Sequence, residues 1–158
     1  MQAQDMNDLR HDPQAPEAAA CVNDLGYAPM DKVHAELDEL LQRARTASSP
    51  EDWYELLQAI DIHLREHFKM EDHWMRETLF PARDCHMDEH AAVLKSSEEV
   101  LALAEVGDLR AAPSFVDELA RWFPGHADYL DSALAGWMCK RQFGGRPVVL
   151  HRKRGPSH

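Results

Sequence analysis

Histidines and carboxylates occur in this sequence at spacings that place them side by side on a helix. His67 and Glu71 are four residues apart, and so are His86 and His90. In an α-helix, residues four apart lie on one face, about one turn from each other. Imidazole and carboxylate groups arranged in this way can chelate one ion or bind two neighbouring ions. These pairs therefore favour metal binding.

Three further ionisable residues occupy positions where a helical bundle normally has leucine. They are His34, His126 and Asp131. Burying such groups without a partner costs several kcal/mol, so each must be hydrogen-bonded, ion-paired or bound to a metal ion. The candidate metal site therefore has seven members: His34, His67, Glu71, His86, His90, His126 and Asp131.

Four segments with apolar residues at three- and four-residue steps carry these side chains, which predicts an all-α domain. Serines, prolines and glycines at the segment ends supply the signals that start and stop helices. The predicted helices run from about Asp31 to Ala47, from Pro50 to Phe80, from Ala82 to Gly107 and from Pro113 to Gly144. Their lengths and short connections predict an antiparallel up-down-up-down four-helix bundle.

The bundle is predicted to occupy residues 30–141. An irregular N-terminal arm, residues 1–29, precedes it, and a basic C-terminal tail, residues 142–158, follows it. In an up-down-up-down bundle, the seven candidate ligands lie at a similar depth near one end. Histidines placed independently of one another would not converge in this way.

Five imidazoles and two carboxylates are too many donors for one ion. A four-coordinate zinc site would leave three of them unused, whereas two six-coordinate ions bridged by both carboxylates would use all seven. A donor set rich in imidazole suits iron better than magnesium or calcium. The residues therefore favour a site with two iron ions.

Three other interpretations remain open from the residues. His86, Glu89 and His90 match the inverted H-x-x-E-H motif of zinc hydrolases, with Glu89 as the general base. That motif explains two of the seven candidates and none of the others. A ferritin-like carboxylate oxidase would need Glu-x-x-His pairs, which this chain lacks. A purely structural bundle would have to satisfy all seven buried groups without metal.

The sequence resembles the hemerythrins, specifically the single-domain prokaryotic bacteriohemerythrins. The resemblance covers roughly residues 22–140 and fills all seven ligand positions at the family's spacing. The matching motifs are Asp31-Lys32-Val33-His34, His67-Phe68-Lys69-Met70-Glu71-Asp72 with Met75, Phe80-Pro81 with His86 and Glu89-His90, and Trp122 with His126 and Asp131.

The resemblance implies that the protein binds dioxygen reversibly and is not an enzyme. It implies that His86, His90 and His126 bind one iron while His34 and His67 bind the other. Glu71 and Asp131, together with an oxo or hydroxo group, would bridge the two ions. Dioxygen would bind at the iron with two histidines, which keeps an open position. Sensing of oxygen or nitric oxide, or handling of iron or peroxide, is the alternative role of such a site.

The chain departs from the family pattern at two places in the fourth helix. Pro124-Gly125 directly precedes His126, and a proline inside a helix removes a backbone hydrogen bond and favours a kink. Ala127 follows His126 where the family usually has a larger aliphatic residue. We therefore expect a roomier or wetter oxygen pocket and faster oxidation.

Composition limits the possible partners and location. The 158 residues carry a formal net charge of −11, which argues against nucleic-acid binding. We find no apolar run long enough to span a membrane and no export signal, so we predict a cytoplasmic protein, monomeric or weakly oligomeric. Residues 132–158 contain no acidic residue but six cations, which could recruit a protein partner. These are Lys140, Arg141, Arg146, Arg152, Lys153 and Arg154.

Overall fold

The computed structural model describes residues 25–142, in which all the regular secondary structure is helical. The segments are α1 (Ala28–Arg43), α2 (Pro50–Glu77), α3 (Arg83–Glu105), α4 (Ala112–His126), a π-helical turn (Ala127–Asp131) and α5 (Ser132–Gln142). The last three follow one another without a break and occupy the predicted fourth helix. The prediction of an all-α helical bundle is confirmed.

The bundle is antiparallel, because residues distant in sequence meet at matching heights. Ser97 in α3 donates to Asp61 in α2 at 2.9 Å. Nearer one end, Trp137 Nε1 in α5 donates to Thr78 Oγ1 beside the end of α2 at 2.9 Å. At that same end, Tyr27 packs edge-on against Trp74, with ring centroids 5.2 Å apart.

The helix ends agree with the sequence signals to within a few residues. At the start of α2, Ser49 Oγ accepts from the Asp52 N–H and Asp52 Oδ2 accepts from the Ser49 N–H, both at 3.0 Å. This reciprocal pair satisfies two backbone donors that a helix start leaves free. α1 begins at Ala28, earlier than predicted, because Pro29 lies in its first turn, where proline needs no hydrogen bond.

The turn between α2 and α3 contains a strained residue. Leu79 has φ +53°, a left-handed conformation that favours glycine, and its side chain is 72% exposed. The next backbone N–H, of Phe80, donates to the Met75 carbonyl at 2.9 Å, which closes the helix end. Phe80 is then buried, so Leu79 adopts this conformation to return the chain to the core.

Apolar layers lie on either side of the level at which the candidate ligands sit. One buried cluster contains Met30, Met75 and Leu134, and another contains Leu37, Phe68 and Phe123 with several neighbours. On α1, His34 lies between Met30 and Leu37, which belong to the two different clusters. The ionisable residues therefore form one polar layer enclosed in an apolar core.

The predicted N-terminal arm and basic tail lie almost entirely outside the described residues. Residues 1–24 and 143–158 are not described, so Lys140 and Arg141 are the tail cations that have a described position. Within residues 25–142, no helix combines the length and the apolar character that crossing a membrane requires.

Candidate metal centre

Three of the helices place their candidate ligands by α-helical spacing. His67 and Glu71 lie one turn apart on α2, and His86 and His90 lie one turn apart on α3. His34 lies in the second turn of α1. All five side chains point into the polar layer, and none is more than 2% exposed.

The fourth helical run positions its two candidates by a different device. Helix α4 continues through Pro124 to His126, and the π-helical turn then spans Ala127–Asp131. In this turn, the Ser132 N–H donates to the Ala127 carbonyl, five residues earlier. Such a wide turn returns residues five apart to one face, so His126 and Asp131 both point inward.

The structure brings all seven candidates together in two groups that share two members. The ligand atoms of each group lie within 4.8 Å of one another. The three-histidine set consists of His86, His90 and His126 with Glu71 and Asp131, and the two-histidine set consists of His34 and His67 with the same two carboxylates.

Glu71 turns one carboxylate oxygen toward each set. Its Oε1 lies 2.8 Å from His67 Nε2 in the two-histidine set. Its Oε2 lies 3.2 Å from His90 Nε2 and 3.4 Å from His86 Nε2 in the three-histidine set. The carboxylate thus stands between two groups of imidazole nitrogens, as a bridging ligand must.

Asp131 repeats this arrangement from the opposite helix. Its Oδ2 lies 3.0 Å from His34 Nε2, whereas its Oδ1 lies 2.9 Å from His86 Nε2 and 3.1 Å from His126 Nε2. Both Asp131 oxygens are buried, and neither has a hydrogen bond among the described residues. The close approach without hydrogen-bond geometry is typical of ligands that surround a common cation.

The donor set also passes a second test for metal binding. Buried polar atoms normally have partners, yet His34 Nε2 and Glu71 Oε2 have no hydrogen bond within the described part of the chain. In addition, His126 Nε2 lies 3.1 Å from His86 Nε2 and 3.2 Å from His90 Nε2. Three imidazole nitrogens that face one another can bind a shared cation, so the cluster fits a metal.

Charge pairing within the cluster shifts its pKa values strongly. Burial lowers the pKa of His34 and of His86, but the nearby carboxylates of Asp131 and Glu71 outweigh burial and raise both pKa values to about 9. Burial raises the pKa of Glu71, yet the surrounding imidazoles hold it well below its usual range. Protons on His34 and His86 therefore balance the carboxylates until a metal displaces them.

Two carboxylates outside the cluster orient its histidines, a role that residue spacing does not predict. His90 Nδ1 donates to Asp72 Oδ1 at 2.8 Å, and His126 Nδ1 donates to Glu89 Oε2 at 2.9 Å. Because a carboxylate only accepts, each bond leaves the histidine's Nε2 lone pair for the metal. Asp72 follows Glu71 and Glu89 precedes His90 in the sequence, but each bond crosses to another helix, so local spacing gives no signal for it.

The position of Glu89 argues against the zinc-hydrolase interpretation. In that interpretation, Glu89 would act as a general base on water held by His86 and His90. Instead, its carboxylate contacts His126 at Nδ1, on the side of the ring that faces away from the other imidazoles. A base there cannot reach a water between the two α3 histidines.

Aromatic and apolar side chains enclose the histidines. Phe68 stacks on His90 with ring centroids 4.0 Å apart, and Trp122 lies 4.3 Å from His126. Phe123 packs edge-on against His34 at 4.9 Å. Ala127 is fully buried in the same apolar cluster as Phe68 and Phe123. Phe123 thus gives the two-histidine set an apolar wall, and Ala127 is a small member of the same apolar cluster.

Comparison with protein families places the chain in a known one. The model of the hemerythrin HHE cation-binding domain matches residues 25–138. No curated protein and no solved structure matches the chain. The matched range includes all seven side chains of the two histidine sets.

Proposed function

The chain belongs to the hemerythrin family, and we propose that it binds two iron ions in its buried cluster and carries dioxygen reversibly on them. The observation that carries this proposal is the division of seven buried donors into two sets that share Glu71 and Asp131. A single ion cannot use both sets, whereas two ions use every donor.

The chemistry of the donors supports iron. Imidazole nitrogens outnumber carboxylates by five to two in the cluster. Magnesium and calcium prefer oxygen ligands, and structural zinc prefers four ligands, often with cysteine. None of the cluster members is a cysteine. Two shared carboxylates together with five imidazoles suit a pair of divalent transition-metal ions such as iron.

Unequal numbers of histidines support binding of a small ligand at one position. His34 and His67 supply one histidine fewer than His86, His90 and His126 supply to the other set. A pair of reduced iron ions held by these residues would supply the two electrons that dioxygen binding requires, and the two-histidine set leaves more room for a small ligand. The protein must keep the position beside His34 and His67 accessible to a small molecule and free of water.

The surrounding residues suit that task. Phe123 and Ala127 belong to a fully apolar buried cluster, and the edge of Phe123 covers the ring of His34. An apolar wall offers water no hydrogen-bond partner, which favours exclusion of water from this side of the cluster. The outward-facing sides of His90 and His126 are held by Asp72 and Glu89, so these rings keep their orientation when a ligand enters or leaves.

The test is metal analysis of the purified chain together with optical spectra of the reduced protein before and after exposure to air. We expect two iron ions per chain and a charge-transfer band that appears in air and disappears when oxygen is removed. The variant His90→Ala should lose metal, whereas His73→Ala, at an exposed position on α2, should keep both ions. One zinc ion per chain, or iron without a reversible band, would overturn the proposal. Irreversible oxidation would instead favour sensing or iron handling.

A further inference from the structure

A surface groove between α3 and α4, the α3/α4 groove, has an apolar floor and an acidic rim. Its volume is about 600 Å³. The floor includes Val93, Val100, Phe115, Leu119 and Trp122, and the rim carboxylates are Glu89, Glu99 and Glu118. No lysine or arginine is among its described lining residues. Such a surface matches a segment that is both apolar and basic.

Three other described grooves lack this character. Each is lined by an arginine: Arg45, Arg141 or Arg43. A basic segment would meet a like charge in each of them, which disfavours binding. The α3/α4 groove differs from the other three because no cation is among its described lining residues, while Arg121 and Lys95 beside it contact Glu118 and Glu99.

The chain itself contains a segment with the complementary composition. Residues 146–154 read Arg-Pro-Val-Val-Leu-His-Arg-Lys-Arg, with three consecutive aliphatic residues followed by a histidine and three cations. They contain no acidic residue. The aliphatic residues of this segment suit the apolar floor of the α3/α4 groove. Its three cations are opposite in charge to the carboxylates of the rim.

We propose that residues 146–154 dock in the α3/α4 groove of the same chain. In this arrangement, Val148–Leu150 lie at the end of the groove nearest His126, and Arg152–Arg154 lie farther along it and pair with the rim carboxylates. The proposal is independent of which metal the cluster holds, because it rests on the groove and on the segment alone.

The length of the chain permits this docking. A helix rises about 1.5 Å per residue, so His126 lies about 24 Å and Glu118 about 36 Å from Gln142 along the fourth helical run. An extended chain covers up to about 3.3 Å per residue, so Leu150 reaches about 26 Å and Arg154 about 40 Å beyond Gln142. The aliphatic residues thus reach the end of the groove near His126, and the cations reach Glu118.

Docking would cover two side chains that touch a candidate ligand. Glu89 accepts from His126 Nδ1, and Trp122 stacks on the same imidazole. Both residues line the α3/α4 groove. A segment bound there shields the Glu89–His126 hydrogen bond from water. Docking or release of residues 146–154 would therefore change how much water reaches this side of the cluster.

Zero-length carbodiimide cross-linking of the full chain tests the proposal, because it joins a lysine only to a carboxylate in direct contact. We expect Lys153 to cross-link to Glu89, Glu99 or Glu118. Lys95 and Glu99 lie 4.0 Å apart on α3 and give an internal reference link. An equal mixture of unlabelled and nitrogen-15-labelled protein distinguishes links within one chain from links between chains, because only the latter give mixed masses.

Two variants sharpen the test. Arg152→Glu with Arg154→Glu retains Lys153 and should reduce the Lys153 links about fivefold or more against the reference, because repulsion replaces attraction. The control Arg43→Glu, at the exposed end of α1, should leave them unchanged. Absence of Lys153 links while the reference link forms, links to carboxylates outside the rim, or links of mixed mass would overturn the proposal. None of these outcomes affects the metal proposal, since the test does not involve metal.

Discussion

His126 Nε2 lies 3.1 Å from Asp131 Oδ1, although the two residues are five positions apart in one helical run. In a regular α-helix, each residue advances by about 100°, so residues five apart point about 140° away from each other. The π-helical turn at Ala127–Asp131 removes this divergence. One extra residue in the turn thus lets a single helical run supply a histidine and a bridging carboxylate to the same site.

We predict that the two outer carboxylates control metal affinity. Glu89→Gln and Asp72→Asn each remove the charge that accepts from a histidine Nδ1, so each should weaken metal binding about 10- to 100-fold. Competition with a chelator measures the change. The control Asp88→Asn, at an exposed position on α3, should bind metal like the wild type. Equal affinities for all three variants would contradict the orienting role.

We predict that Pro124→Ala stabilises the metal-free protein. Pro124 lies inside α4 and cannot donate a backbone hydrogen bond there, so alanine should raise the free energy of unfolding by about 2 kcal/mol. Urea titration followed by circular dichroism measures this quantity. Since the π-helical turn lies after His126, metal content should remain unchanged; loss of metal would show that Pro124 itself sets the position of His126.

We predict that the metal-free protein loses stability as the pH rises. His34 and His86 have pKa values of about 9 in the folded chain and an ordinary value of 6.5, so the folded state binds more protons in this window. The free energy of unfolding should therefore fall between pH 6.5 and about 9. Urea titrations with a chelator present measure it, and His73→Asn should show the same slope. A flat profile would refute the charge pairing in the cluster.

We predict that Leu79→Gly is stabilising. Leu79 has φ +53° and is 72% exposed, so glycine relieves backbone strain while little packing is lost. The expected gain is roughly 1 kcal/mol in the free energy of unfolding. Val106→Gly is a matched control, because Val106 is also exposed but has an ordinary φ of −97°, and it should not be stabilising. A lower free energy of unfolding for Leu79→Gly would mean that the leucine side chain makes a stabilising contact.

Residue spacing alone predicts most members of the candidate site. His67 with Glu71 and His86 with His90 follow α-helical periodicity, so their shared faces could be read from the sequence. The relation of His126 to Asp131 could not, because α-helical periodicity gives no sign of a π-helical turn. That these residues bind metal stays a prediction that the metal analysis decides.

The outer carboxylates and the exact helix ends were harder to predict. The sequence motif suggests Glu89 only as a general base, because its contact with His126 joins α3 to α4 across the bundle and has no local signal. Leu79 occupies a position where sequence rules expect glycine, because the need to bury Phe80 overrides the local preference. Long-range packing therefore decided what local patterns left open.

The distribution of the donors along the chain has a consequence for biosynthesis. Both histidine sets require Asp131, which belongs to the last helical run of the bundle, while His34 belongs to the first helix. A growing polypeptide lacks a shared donor of both sets until Asp131 has been synthesised and folded against α1. A complete pair of ligand sets would therefore form only at a late step, and chains that stall or misfold before it would lack one of the two shared carboxylates.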